Sequence, residues 1–350
     1  MKIMVYEGPK KLRIDEISDM PITNDQIRIK TLFSGISHGT EMSVYRGVAP
    51  FFRKKENWDV RLFMPAGENE KWTYPIRSCD PGVWYMGYAN VGEVVEVGKD
   101  IRNIKVGDIV YSDAPHQSQV IKKEVEIVKL PKGIKPEYGI FLTNLMTTFN
   151  GILDSKIKLG DTTVVSGLGV LGQLTVQMAK MSGAFKVFGI DLFEKRFEVA
   201  LENGADKVYT PKTSQDIAYE IRKETDKIGP DVVIEVSGRQ KGLNEAVRIA
   251  APDTTVVALG WYQGHCTDLN LSDEFHHNRI IIRCSQTGGI NPEIRHMWDF
   301  KRKVTACSEL LKRLRLDNVI THRIPFENAS EAYKMIDKKP EDTIQVVLKY

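Results

Sequence analysis

Cysteine is scarce in this 350-residue chain, and its four copies, Cys79, Cys266, Cys284 and Cys307, stand far apart with no C-x-x-C pair. That spacing excludes a structural zinc lobe and a disulfide framework, leaving reduced thiols, with Cys284 in the run "RIIIRC" read as a small core residue. An excess of charge is also missing. The 49 basic and 46 acidic residues leave +3, the basic ones are scattered, and nucleic acid is not an expected partner. No apolar run approaches the roughly 18 residues that cross a bilayer, so no membrane partner is expected. The opening "MKIMVYEGPKKLRI" turns polar too early for the apolar core of an export signal, and the expected location is cytoplasmic. What is present, 42% hydrophobic residues, suffices for one large or two medium cores.

The texture of the chain changes near Glu137. Before it, "KIMVY", "QIRIKTLF", "VGEVVEVG", "GDIVYS" and "VEIVKL" are short, rich in Val and Ile, and separated by turn residues, the pattern of an antiparallel or barrel-like domain. After it, apolar runs at 162–166, 185–190, 207–209, 231–236, 254–259 and 279–283 alternate with helical pattern or turns. Leu171, Leu174, Met178 and Met181 recur at spacings of three and four on one helix face. Such alternation predicts an α/β chain with a parallel, doubly wound sheet.

"TVVSGLGVLGQ" sets Gly167, Gly169 and Gly172 in G-x-G-x-x-G spacing between a strand and a periodic helix. The first glycine permits a tight turn, the second lets a pyrophosphate approach the backbone, and the third lets helix and strand pack closely, with helix N–H groups facing the phosphates. About 20 residues on, Asp191 ends the second strand, where a carboxylate accepts bonds from the adenosine ribose. That acid repels a 2′-phosphate, and no clustered basic residues are evident at this strand end, so NAD is expected over NADP. Arg196 is placed beside the adenosine or on an exposed helix face.

The order of "VGEVVEVGKDIRNIKVGDIVY", "GLGVLG" with Asp191, "GADKV", "DVVIEVSG" and "VALG" resembles the medium-chain dehydrogenase/reductase superfamily, which contains the zinc alcohol dehydrogenases, over essentially the whole chain. The resemblance implies a GroES-like catalytic domain over 1–150, a Rossmann NAD-binding domain over 151–288, a return to the catalytic domain over 289–350, and an active site in the cleft between domains. It extends the cofactor contacts to Thr147, Leu168, Val170, Leu171, Ser237, Gly260 and Ser285.

Zinc members hold the metal with Cys in a Gly-Ile-Cys segment, His in Gly-His-Glu, and a Cys or acid before the glycine loop. This chain has Ser37 in "SGISHG", Tyr88 and Ala89 in "MGYANVG", and Thr143 and Asn144 in "FLTNLMTTF". Zinc is therefore not an expected cofactor. "SGISHGTE", "GYANVG" and "FHHNRIIIRCSQ" are similar to a zinc-lacking branch that includes relatives of bacteriochlorophyllide 3-hydroxyethyl dehydrogenase.

Without the metal, a hydrogen-bond donor or proton shuttle must meet the charge that hydride transfer builds on oxygen. The candidates are Ser37, His38, Thr40, Glu41 and Tyr88. His38 is an imidazole suited to proton exchange near neutral pH or a turn-capping histidine. Tyr88 is a donor or a filler of the vacated volume. Thr40 and Glu41 resemble the Ser/Thr-Asp pair of zinc relatives, offset by one residue. His276 and His277, adjacent in sequence, are poorly placed to chelate together and read as a polar loop or a cleft histidine.

The aromatic-rich insert from Phe51 to Tyr85, with Trp58, Trp72 and Trp84, reads as a wall for a bulky substrate, a lid or a subunit contact. The leading expectation is an NAD-dependent, zinc-independent oxidoreductase interconverting a secondary alcohol and a ketone on a cyclic or bulky polar small molecule. The alternatives are an NADPH-dependent quinone or enoyl reductase and a non-catalytic nucleotide-binding scaffold. "RIIIR" resembles an edge strand through which family dimers pair, so a homodimer or homotetramer is expected.

Overall fold

The computed structural model describes residues 1–226 and 228–350. The chain forms two compact units, one from residues 1–143 and 322–350, the other from 144–321. The first begins with β1 (Lys2–Gly8), β2 (Lys11–Glu16), β3 (Gln26–Gly35) and the short helix α1 (Thr40–Tyr45). The hairpin β4 (Lys54–Asn57) and β5 (Leu62–Pro65) follows, then β6 (Ile76–Arg77), β7 (Asn90–Val97), β8 (Ile109–Ser112), β9 (Gln119–Lys123) and β10 (Ile127–Lys129). Helix α2 (Leu142–Ser155) carries the chain into the second unit.

The second unit runs β11 (Thr162–Ser166), α3 (Val170–Met181), β12 (Lys186–Ile190), α4 (Glu194–Glu202), β13 (Lys207–Tyr209), α5 (Ile217–Glu224) and β14 (Val232–Glu235). It continues through α6 (Gln240–Ile249), β15 (Thr255–Ala258), α7 (Glu274–His277), β16 (Ile281–Cys284) and α8 (Phe300–Leu310). Then β17 (Ile320–Pro325), α9 (Ala329–Lys338) and β18 (Gln345–Lys349) close the chain.

Its six strands make one sheet in the order β13-β12-β11-β14-β15-β16. Every pairing is parallel, with β11 beside both β12 and β14, as a doubly wound sheet requires. Val164, Val165, Val233, Ile234, Val256 and Val257 are buried, which explains why these strands read as continuous apolar runs. In the first unit, antiparallel pairing gives a seven-stranded sheet in which β18 and β7 flank β3, and β9 adds to β3. Its core gathers Met4, Tyr6, Met42, Tyr45, Phe326, Tyr333 and Leu348.

Two expectations change here. The return to the first unit comes at His322, not at 289. Residues 289–321 stay with the second unit because the Gln177 amide on α3 grips the Arg315 backbone from both sides, accepting from its N–H at 2.8 Å and donating to its C=O at 3.1 Å. Asn318 adds a bond to Asn203 at 3.0 Å. Cys284, expected in the core, is exposed, because β16 is the sheet's outer strand; the buried cysteine is Cys307 on α8. Among the described residues no helix is long and apolar enough to cross a membrane.

Candidate active site

Five of the six parallel strands of the second unit lead into an expected cofactor residue: β11 into Gly167, β12 into Asp191, β14 into Ser237, β15 into Gly260 and β16 into Ser285. The carboxyl ends of such strands are where ligands bind in open α/β sheets. Thr147 lies on α2, and Val170, Leu171 and Gly172 open α3.

The glycine turn has the shape a dinucleotide needs. Gly167 has φ +100°, and a Cβ there would lie 2.7 Å from the Ser237 nitrogen. A Cβ on Gly172 would lie 1.9 Å from the Gly167 carbonyl oxygen, so the close packing of helix on turn depends on that glycine. Gly169 differs. Its φ is −68° and a Cβ would find nothing nearer than Arg196 Nη1 at 4.0 Å, which leaves room above the turn. It caps the N-terminus of α3 without a side-chain hydrogen bond, so the helix N–H groups remain available to an anion. The residues present fit a dinucleotide.

Asp191 is buried and does structural work as well. Its Oδ2 accepts from the Leu168 N–H at 2.7 Å, and Oδ1 accepts from the N–H groups of Leu192 at 2.7 Å and Phe193 at 3.1 Å. Arg196 sits 3.2 Å from Oδ2 and stacks over the Phe193 ring at 4.7 Å, while Lys212 lies 5.4 Å from the same ring. The expectation that this strand end lacks basic residues is corrected: two cations converge on Phe193, from positions far enough apart in sequence to hide the cluster.

Glu235 was not anticipated. Its carboxylate, wholly buried, accepts from Ser237 N–H at 2.8 Å, Gly238 N–H at 3.4 Å, and the Ser237 and Tyr262 hydroxyls. Burial pushes this carboxyl above the usual range, opposed by those bonds. The segment after β16 is tethered too. Asp154 accepts from Ser285 Oγ at 2.7 Å, Asn150 donates to the Gln286 carbonyl at 2.9 Å, and the buried Lys303 ammonium donates to the Thr287 carbonyl at 2.6 Å.

In the first unit, the structure brings Ser37 and Tyr88 together: the Tyr88 phenol donates to Ser37 Oγ at 2.6 Å, and the Thr40 N–H donates to the same oxygen at 3.3 Å. Burial, reinforced by the nearby Glu41 carboxylate, pushes the Tyr88 phenol up to about 12. Glu41, on α1, is wholly buried and accepts from Ser37 N–H at 2.7 Å, bonds His116 Nε2 at 2.7 Å and accepts from Tyr333 OH at 2.6 Å. His116 gave no signal in the sequence, because nothing in its spacing from Glu41 marks a pair that only the fold creates. His38 is half-buried beside Ser37.

The three positions that ligate zinc in metal-bearing relatives carry other chemistry. Ser37 Oγ is occupied by Tyr88 and the Thr40 N–H, and Thr143 Oγ1 donates to the Tyr88 carbonyl at 2.9 Å. Neutral hydroxyls already engaged with one another do not fit a zinc ion, which takes thiolate, imidazole or carboxylate. Among the described residues no three His, Cys, Asp or Glu side chains are grouped to hold a metal. His276 and His277 lie on the short helix α7, exposed, their rings 5.2 Å apart at 85°. The aromatic insert packs upon itself, with Trp72 stacked on Tyr85 at 3.5 Å, while Trp58 is exposed.

Over 356 aligned residues the chain is 30% identical to D-guloside 3-dehydrogenase of Escherichia coli, covering 99% of both proteins, and residues 170–302 match the family model described as zinc-binding dehydrogenase. This chain belongs to the zinc-binding dehydrogenase family. It is 30% identical to the L-threonine 3-dehydrogenase of Pyrococcus horikoshii over 285 residues, covering 72% of this chain and 78% of that protein. The structure of 2R,3R-butanediol dehydrogenase from Bacillus subtilis superposes over 100% of this chain and 99% of its own, with a TM-score of 0.78 at 22% identity. The fold is thus a GroES-like unit with a Rossmann unit, and the chain is an enzyme of the alcohol dehydrogenase type. Within this family, its hydroxyl pair at Ser37 and Tyr88 departs from the metal-ligand pattern.

Proposed function

We propose that the enzyme interconverts a secondary alcohol and a ketone on a cyclic, polyhydroxylated small molecule such as a sugar, a cyclitol or similar, using NAD and no zinc. The Ser37–Tyr88 pair carries this reading. Bound nicotinamide supplies or accepts the hydride. Ser37 Oγ, which takes hydrogens from Tyr88 and from the Thr40 N–H, keeps its own hydrogen to donate to the reacting oxygen. The Tyr88 phenol, held protonated by burial, stays a donor rather than an anion at physiological pH. We assign the return of that proton to His38, half-buried and next to Ser37 in the chain. The name of the D-guloside 3-dehydrogenase relative supports oxidation of a ring hydroxyl in a sugar derivative.

NAD is favoured by the Asp191 carboxylate, which repels a 2′-phosphate. A second reading, acceptance of NADP, is favoured by Arg196 and Lys212 around Phe193. We further propose a homodimer, alone or as half of a tetramer, joined along β16, an edge strand whose Ile281 is exposed.

The test is a screen of cofactor reduction across methyl hexopyranosides, cyclitols, polyols and simple secondary alcohols, with NAD and NADP in parallel, with and without chelator. Turnover of a ring alcohol with NAD that survives chelation supports the reading. Activity abolished by chelator and restored by zinc would overturn it.

A further inference from the structure

We propose that His116 and Glu41 are positioning residues that hold both hydroxyls of the Ser37–Tyr88 pair in place for the reaction; the inference rests on the reading of that pair as the proton donor. Glu41 holds the first hydroxyl. Its Oε1 accepts the Ser37 N–H at 2.7 Å, which fixes the backbone from which Ser37 Oγ projects. Its Oε2 is in turn fixed by His116 Nε2 at 2.7 Å and by Tyr333 OH at 2.6 Å.

His116 also holds the second hydroxyl, by a separate route. Its backbone N–H donates to the Met86 carbonyl at 3.0 Å, a bond that does not depend on the side chain, and its ring packs where a side chain on Gly87 would lie: a Cβ there would be 3.0 Å from Cδ2, 3.0 Å from the His116 backbone nitrogen and 3.1 Å from Nε2. Gly87, at φ +124°, is the residue immediately before Tyr88. One imidazole therefore packs against the glycine that leads into Tyr88 and, through Glu41, holds the backbone that carries Ser37.

The imidazole is itself anchored. Ser34 Oγ lies 2.7 Å from Nδ1 and 2.9 Å from Tyr350 OH, and Tyr6 OH donates to Tyr333 OH at 2.9 Å. Glu41 and His116 are both at 0% exposure. Apolar side chains of similar volume would fill this core without the cost of desolvating a carboxylate and an imidazole, so packing alone does not account for them. A requirement for angular precision at the two hydroxyls does, since a displacement near 1 Å costs about a hundredfold in rate.

The experiment uses NAD and whichever methyl hexopyranoside or cyclitol the screen turns over fastest. His116→Gln, Glu41→Gln and Gly87→Ala are compared with Ser37→Ala and Tyr88→Phe for single-turnover hydride transfer, KM and NADH binding by fluorescence. The expected result is a ten- to hundredfold fall in kcat for the first three with NADH affinity unchanged. His116→Gln should cost less than about threefold more once both hydroxyls are already gone, in the double variant Ser37→Ala with Tyr88→Phe. If circular dichroism shows that His116→Gln has lost its fold, Tyr333→Phe carries the same test, because it removes one Glu41 partner and a single oxygen.

A His116→Gln enzyme with kcat within about twofold of the parent, or an equal loss with and without the two hydroxyls, overturns the positioning role while leaving the donor pair standing. Full kcat in both Ser37→Ala and Tyr88→Phe overturns the donor pair, and the positioning role with it.

Discussion

The Tyr88 phenol gives its hydrogen to Ser37 Oγ at 2.6 Å across 51 residues of chain, where metal-bearing relatives place a thiolate. In the proposed reaction, loss of Ser37 Oγ removes the donor to the reacting oxygen and loss of the Tyr88 hydroxyl removes the hydrogen bond that orients it. Ser37→Ala and Tyr88→Phe are each expected to lower kcat by about a hundredfold, with KM changed little. Steady-state kinetics check this, and added zinc should not restore the rate of either variant.

The pH dependence has a definite sign. Folded Tyr88 keeps its proton up to about 12 against an ordinary 10.0, so it binds more hydrogen than the unfolded chain in the interval between. Its contribution to stability is therefore whole below about 10 and is lost as pH rises through about 12. Carbonyl reduction should show no alkaline limb from this phenol below about pH 10, whereas a tyrosinate base would demand one. A pH–rate profile of parent and Tyr88→Phe, with denaturation midpoints at pH 9 to 11, tests both statements.

The glycines of the turn should separate in function. Gly172→Ala places a Cβ 1.9 Å from the Gly167 oxygen and is expected to lower the melting temperature by several degrees. Gly169→Ala meets open space and should leave the melting temperature alone while weakening NADH binding at least tenfold. Differential scanning fluorimetry with and without NADH distinguishes them.

At the end of β12, Asp191→Ala should weaken NAD binding tenfold or more, because the carboxylate also orders the Leu168, Leu192 and Phe193 N–H groups. Arg196→Ala should weaken NADP binding more than NAD binding. Calorimetric titration of both dinucleotides into both variants gives the answer, and an Arg196→Ala enzyme with an unaltered NADP affinity would remove the second reading.

What could be read from the sequence was what depends on neighbours along the chain. Val164 and Val165 before Gly167, and Leu174 and Met178 after it, announce strand, turn and helix in a single stretch, and the structure agrees within a residue or two. Ser37 and Tyr88 were legible as substitutions in a known pattern, though not as partners. Residues whose meaning comes from contacts far apart in sequence were silent. His116 joins Glu41 across 75 positions, Lys212 approaches Phe193 from the far side of β13, and Gln177 holds Arg315 across 138 positions. Cys284 was misread because an apolar strand looks the same whether it is central or at an edge.

The three tethers on Ser285, Gln286 and Thr287 have a mechanical consequence. Each residue in turn is moored to a different side chain, two from α2 and one from α8, so the segment is fastened to both helices. Any displacement of α2 or α8 would therefore carry these three residues along as freight.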